Sequence, residues 1–150
     1  MTRCSFCAIS AENGFKVVWE DAEFVAFRDR SPASEHHIQL IPKAHISSVR
    51  ALRKVDAALV RTMRQIGERL LDELDVSPSM RVFGFHIPPF NSVNHLHLHV
   101  QGLPYKPLRG AKYHVTTGFA SFGKGFGWFI TADQAIRTLE RGRSIGVLPC

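Results

Sequence analysis

The apolar positions of this chain change their period twice. Up to about residue 42 they come in short runs broken by turn residues. Residues 15–19 are rich in strand formers and follow the turn signal Asn13-Gly14, which predicts a hairpin there. Residues 24–27 read as a second strand, stopped by Asp29-Arg30-Ser31-Pro32, and residues 37–41 as a third, ended by Pro42. From about 48 to 74 the spacing becomes three or four. Leu52, Val55, Leu59, Met63, Ile66, Leu70 and Leu74 form one stripe of a long helix, with most of the charged residues off it. Two strands follow, at 80–85 and 95–100, joined by a compact, turn-rich loop at 87–92. Residues 101–127 are rich in glycine and basic side chains and show no period, so they are the expected mobile or partner-facing segment. Residues 128–130 read as a short strand, and Thr131-Ala132-Asp133-Gln134 has capping-box spacing for a last helix through about Arg141. No domain boundary appears. Mixed strands with two segregated helices predict an α+β domain on an antiparallel sheet.

Composition narrows the class. With 150 residues, 45% hydrophobic and 21% charged, the chain fits one globular domain that needs no disulfides. No apolar run approaches the ~18 residues of a membrane span, and the N-terminus lacks the apolar core of a secretory signal. Three cysteines, an odd count, agree with a reducing interior, so an intracellular protein of cytoplasm or nucleus is expected. A net charge of +6 and eight histidines point weakly to an anionic partner.

The stretch His95-Leu96-His97-Leu98-His99-Val100 carries the most chemistry. Strand alternation puts three imidazoles on one face, ~6.6 Å apart along the strand, and Leu96, Leu98 and Val100 on the other. A polar sheet face, a metal site and phosphorus chemistry with an imidazole nucleophile all use such a pattern. Ser92, three residues before the first of these histidines, could meet a phosphate or leaving group. Asp29, at a strand end, could take ribose hydroxyls.

The H-x-H-x-H stretch, Ile41-Pro42-Lys43-Ala44-His45 and Phe27-Arg28-Asp29 resemble the histidine triad (HIT) superfamily over roughly residues 4 to 140. Phe83-Gly84-Phe85-His86-Ile87-Pro88-Pro89-Phe90 and Trp128-Phe129-Ile130-Thr131-Ala132-Asp133 resemble its branch typified by histidine triad nucleotide-binding protein 3. The resemblance implies an antiparallel sheet of about five strands with one long and one short helix, commonly a homodimer. It also implies hydrolysis of adenosine 5'-monophosphoramidates to AMP and an amine. His97 matches the nucleophile that forms a nucleotidyl-histidine, and His99 a phosphate contact. Ser92 matches a contact to phosphate or leaving group, and Asp29 the ribose carboxylate. Phe6, Ile9 and Phe27 match positions that enclose the base, and Asn91 joins the nucleotide-binding set.

In many histidine triad proteins a zinc ion is held by a C-x-x-C pair, the histidine of the I-P-K-x-H segment and the first triad histidine. Here those are Cys4, Cys7, His45 and His95, a closed set suited to a structural site. The alternative is two small cysteines without a metal. His36, His37, His86 and His114 receive no catalytic role.

The chain departs from the family at Gln101, where an apolar residue is usual, and at Arg30, often apolar beside base and ribose. The segment 86–90 stands where better-known members have an Asn- and Gly-rich phosphate loop, and residues 142–150 have no counterpart. A dinucleoside polyphosphate hydrolase, a nucleotidyl transferase, an aprataxin-like DNA-adenylate hydrolase and a non-enzymatic nucleotide-binding regulator are the rival functions. The charge admits nucleic acid as a partner, but a purine nucleotide or nucleoside phosphoramidate is favoured.

Overall fold

A computed structural model describes residues 3–118 and 123–150. Its strands are β1 (Val17–Glu20), β2 (Phe24–Arg28), β3 (Ser34–Pro42), β4 (Arg81–His86), β5 (Leu98–Tyr105) and β6 (Phe129–Thr131). Its α-helices are α1 (Ala57–Glu73) and α2 (Ala132–Glu140). All strand pairs are antiparallel, in the order β1-β2-β3-β5-β4-β6. The sheet has six strands among the described residues, where about five were expected. The last is β6, the short strand expected at 128–130, which pairs along the outer side of β4 through Phe85 and Ile130. Gly84 permits that pairing: a methyl there would lie 2.6 Å from the Ile130 carbonyl oxygen.

Strand alternation sorts the side chains into two layers. Phe24 and Ala26 of β2, Ile38 and Leu40 of β3, and Leu98 and Val100 of β5 face α1, whose Val60, Met63, Ile66 and Leu70 complete the main core. Val25, Phe27 and Ile41 point the other way, into a smaller cluster with Phe6 and Phe15. Helices thus cover one face of the sheet, and aromatic and histidine side chains occupy the other.

Several boundaries differ from the sequence pattern. The helix starts at Ala57 rather than near 48, because two 3-10 turns, Val49–Ala51 and Lys54–Asp56, come first. Ser48 Oγ accepts from the Arg50 N–H at 3.2 Å, and Asp56 Oδ2 from the Arg53 N–H at 2.8 Å. Such local bonds compete with a helical start. Val55 is consequently 84% exposed although it lies on the helical stripe. Asn13-Gly14 makes a turn, with Gly14 at φ +81°, but the hairpin is β1–β2, beyond it. Among the described residues no strand precedes that turn, only a 3-10 turn at Ser5–Ala8.

The segment 101–127 is more ordered than its composition implies, although residues 119–122 of it lie outside the described residues. β5 runs through it to Tyr105, paired with β4 as far as Gly102 and with β3 to its end. Lys124 is fully buried, its ammonium donating to the carbonyls of Gly125 (2.7 Å), Gly127 (3.1 Å) and Val147 (3.0 Å). Residues 142–150 are also packed. Gly142, at φ +71°, turns the chain after α2, with Gly142 N–H to Leu139 O at 2.8 Å and Arg143 N–H to Thr138 O at 3.1 Å. Ile145 then enters the main core. No helix among the described residues is long and apolar enough to cross a membrane.

Candidate active site

The three histidines straddle the start of β5. Only His99 lies in the strand; His95 and His97 precede it, because the β3 and β4 ladders begin at Leu98 and His99. All three are buried, opposite Leu96, Leu98 and Val100, and the rings of His97 and His99 lie 5.1 Å apart.

Their hydrogen bonds define their tautomers. His97 Nδ1 is 2.7 Å from the His95 carbonyl oxygen, an acceptor, so Nδ1 carries the proton and Nε2 keeps its lone pair. Burial pushes the pKa of His97 down, more than its bond to His95 raises it, so the ring is neutral near pH 7. A second chain of bonds begins at Ala33, whose N–H donates to His37 Nδ1 at 3.0 Å. His37 must then hold its proton on Nε2, which faces His99 Nδ1 at 2.9 Å. His99 in turn carries its proton on Nε2, a buried atom with no hydrogen-bond partner among the described residues. Burial pushes His37 down to about 4 and His99 well below its ordinary value, so both stay neutral. The outcome is a lone pair on His97 beside an uncommitted N–H on His99.

His99 opens onto a cavity of about 700 Å³, whose wall also includes Phe6, Phe15, Phe27, Asp29 and Ser92. Phe6 stands edge-on to Phe27 and to His97, at 5.2 and 5.5 Å. Ile9 packs behind this aromatic cluster. Asp29 accepts from the Ser31 N–H at 2.8 Å and from Gln39 Nε2 at 2.5 Å. Ser92 is an exposed part of the wall. Asn91 lies along a narrow crevice with His95 and His97, its amide donating to Val93 O and Asn94 Oδ1, both at 3.1 Å. Arg30 covers the Phe15 ring at 4.7 Å.

Three wall or support residues were not assigned from the sequence. His37 holds His99, as above. Gln39, register partner of His99, lines the cavity and offers a buried, unpartnered Oε1. His86 ends β4, lines the cavity 4.8 Å from the His99 ring, and donates from Nε2 to the Lys112 carbonyl at 2.8 Å. The available signal was period two: His37 and Gln39 share one strand face, opposite the apolar Ile38 and Leu40.

Beside the cavity, ligand atoms of Cys4, Cys7, His45 and His95 all lie within 4.8 Å of one another. The His45 and His95 Nδ1 atoms are 3.3 Å apart, Cys7 Sγ is 3.3 Å from His45 Nδ1, and Cys4 Sγ and Cys7 Sγ are 3.5 and 3.6 Å from His95 Nδ1. Zinc bonds of ~2.3 Å to sulfur and ~2.0–2.1 Å to nitrogen at tetrahedral angles need about 3.4 Å between nitrogens and about 3.6 Å from nitrogen to sulfur. The donor set therefore fits. His95 Nε2 donates to Pro42 O at 2.8 Å, which frees Nδ1 as a ligand.

Residues 3–114 match the family model described as scavenger mRNA decapping enzyme C-term binding. The chain is 45% identical over 140 residues to the bifunctional adenosine 5'-phosphosulfate phosphorylase/adenylylsulfatase HINT4 of Arabidopsis thaliana, covering 91% of each. It is 36% identical over 143 residues to the adenosine 5'-monophosphoramidase HINT3 of Xenopus tropicalis, covering 91% of this chain and 87% of that protein. In fold it is similar to a HIT family hydrolase from Clostridium thermocellum, with a TM-score of 0.61 and 23% identity over 69% of this chain and 93% of that one. Together with the buried histidines beside a nucleotide-sized cavity, these similarities mean that the chain belongs to the histidine triad superfamily.

Proposed function

We propose that the chain hydrolyses adenosine 5'-monophosphoramidates to AMP and an amine through a nucleotidyl-histidine at His97. The observation that carries this reading is the pair of tautomers, a nucleophilic Nε2 on His97 beside an unpartnered donor on His99. The name of the HINT3 relative supports the substrate class.

In the first step the His97 Nε2 lone pair forms a bond to phosphorus and the P–N bond breaks. The departing nitrogen takes a proton passed from solvent through the Ser92 hydroxyl. His97 becomes cationic as it is nucleotidylated, so its Nδ1–H bond to the His95 carbonyl strengthens as the charge develops. The His99 Nε2–H donates to a phosphoryl oxygen. In the second step water attacks phosphorus, His97 leaves with its lone pair restored, and the water proton returns to solvent. Phe6, Phe15 and Phe27 enclose the base, while Asp29 and the Gln39 Oε1 accept from the ribose hydroxyls.

Cys4, Cys7, His45 and His95 would hold a structural zinc, which ties the Ser5–Ala8 turn to the residue whose carbonyl supports His97. The HINT4 relative favours a second substrate, adenosine 5'-phosphosulfate, which the same nucleophile would attack with sulfate as the leaving group. Turnover of both compounds, followed by AMP release, tests the reading. Consumption of at least one well above a His97→Ala control is expected. Turnover of neither would overturn it.

A further inference from the structure

The cavity wall continues past the residues assigned to base, ribose and phosphate, and the side chains there have a different chemistry. From Phe6 a run of rings passes His97 (5.5 Å), His99 (5.1 Å) and His86 (4.8 Å), so the histidines divide the base end from a second end. That second end is walled by Phe90 and Trp128, two large aromatic side chains that remain 54% and 38% exposed. Their ring centroids are 6.1 Å apart at 46°. Trp128 is anchored by its edge: Nε1 donates to the Lys112 carbonyl at 3.0 Å, the same oxygen that takes the His86 bond. An indole held at its N–H keeps its face for another ring.

Charge along the cavity wall as a whole is one-sided. Arg109 and Lys112 line the cavity beside Tyr113, and Arg109 reaches across to Ser31 Oγ at 2.6 Å. Arg30 adds a third cation to the wall, whereas Asp29 is its one carboxylate among the described residues and is already bonded to Ser31 and Gln39. Exposed cations alone would be a solvated surface. Here they share a concavity with two uncovered aromatic rings, next to the atom that the leaving group must depart from.

We propose that Phe90, Trp128, Arg109 and Lys112 form a leaving-group subsite that selects amines bearing both an aromatic ring and a carboxylate, the amine of an aromatic amino acid. The inference rests on the hydrolase reading above and specifies its substrate class. The bond broken joins phosphorus to the α-amino nitrogen, water supplies hydroxyl to phosphorus and a proton to nitrogen, and the products are AMP and the free amino acid.

Four amidates of AMP test it, made with phenylalanine, phenethylamine, alanine and ethylamine, so that ring and carboxylate vary independently. In the wild-type protein kcat/KM for the phenylalanine compound should exceed that for alanine by about tenfold, the scale of one ring filling an aromatic site. It should exceed phenethylamine by about threefold, and that smaller ratio should shrink in high salt, as expected of exposed charges. Trp128→Ala, or Phe90→Ala if the first folds poorly, should bring the ring ratio to about one, with recovery in Trp128→Phe. Lys112→Gln combined with Arg109→Gln should abolish only the carboxylate ratio. Each ratio is taken within one variant, so a general loss of activity cancels. Hydrolysis of all four compounds at equal rates would overturn the subsite and leave the hydrolase standing. Hydrolysis of none would overturn the subsite, and the hydrolase reading falls with it only if adenosine 5'-monophosphoramidate and adenosine 5'-phosphosulfate are also left intact.

Discussion

Replacing His37 with phenylalanine would break the histidine chain at its first link. His37 neither touches the proposed substrate nor carries a charge; it is a positioning residue whose Nε2–H, 2.9 Å from His99 Nδ1, keeps the His99 proton on Nε2. Without that donor, His99 can hold its proton on Nδ1 and present a lone pair to an anionic phosphoryl oxygen. Losing one preorganised donor to a developing charge costs about 10²–10³ in kcat, about 2.7–4 kcal/mol. The fall should appear mainly in kcat, because the contact strengthens in the transition state. Stability should fall as well, since the Ala33 N–H loses its acceptor, at about 1–3 kcal/mol for a buried unpaired group. His37→Gln keeps a side-chain N–H and should recover part of kcat, which a purely structural role would not predict. The assay is steady-state AMP release from an adenosine 5'-monophosphoramidate, with a thermal melt on each variant. A folded His37→Phe protein whose kcat stays within about threefold of wild type would refute the relay, since the expected loss is at least tenfold larger.

Protein purified without added zinc should contain about one zinc per chain, and Cys7→Ser or His45→Ala should lose it and melt lower; metal analysis near zero in the wild type would remove the site. Lys124→Met should destabilise the fold by about 1–3 kcal/mol in urea titration, because buried carbonyls lose their donor; a loss under about 0.5 kcal/mol would contradict that role. His37 faces Asp29, His99, His86, His97 and Tyr113, and its pKa falls from 6.5 to about 4 in the fold. Below pH 6.5 the unfolded chain therefore binds the proton first, and stability contributed by neutral His37 declines as the pH falls from 6.5 towards 4. The melting temperature should drop over that window, less steeply in His37→Phe; an equal slope in both proteins would show that His37 is not the group responsible.

What could be read in advance was what local chemistry decides. Thr131 and Gln134 close the capping box as their spacing implies, with both bonds at 3.1 Å, because every partner lies within four residues. The alternation of Leu96, Leu98 and Val100 against the histidines was similarly legible, as a period along one segment. Register was not. His37 stands out only when β3 and β5 pair, putting Gln39 opposite His99 and the two imidazoles within hydrogen-bond reach. Gly102 and Pro104 argue for a loop, yet β5 passes through both, because β3 and β4 flank it at Gly102 and β3 alone carries it on past Pro104 to Tyr105. Lys124 reads as solvated surface until Val147, distant in sequence, supplies one of its carbonyls.

Nucleophilic attack by the His97 Nε2 lone pair is tested directly by a rapid acid-free quench followed by peptide mass spectrometry. Protein mixed with an adenosine 5'-monophosphoramidate and denatured at high pH, where phosphorus–imidazole bonds survive, should carry one added AMP moiety on the peptide containing His97. The adduct should form and decay within a turnover and be absent from His97→Ala. Full turnover by His97→Ala, or the nucleotide found on another residue, would contradict the account.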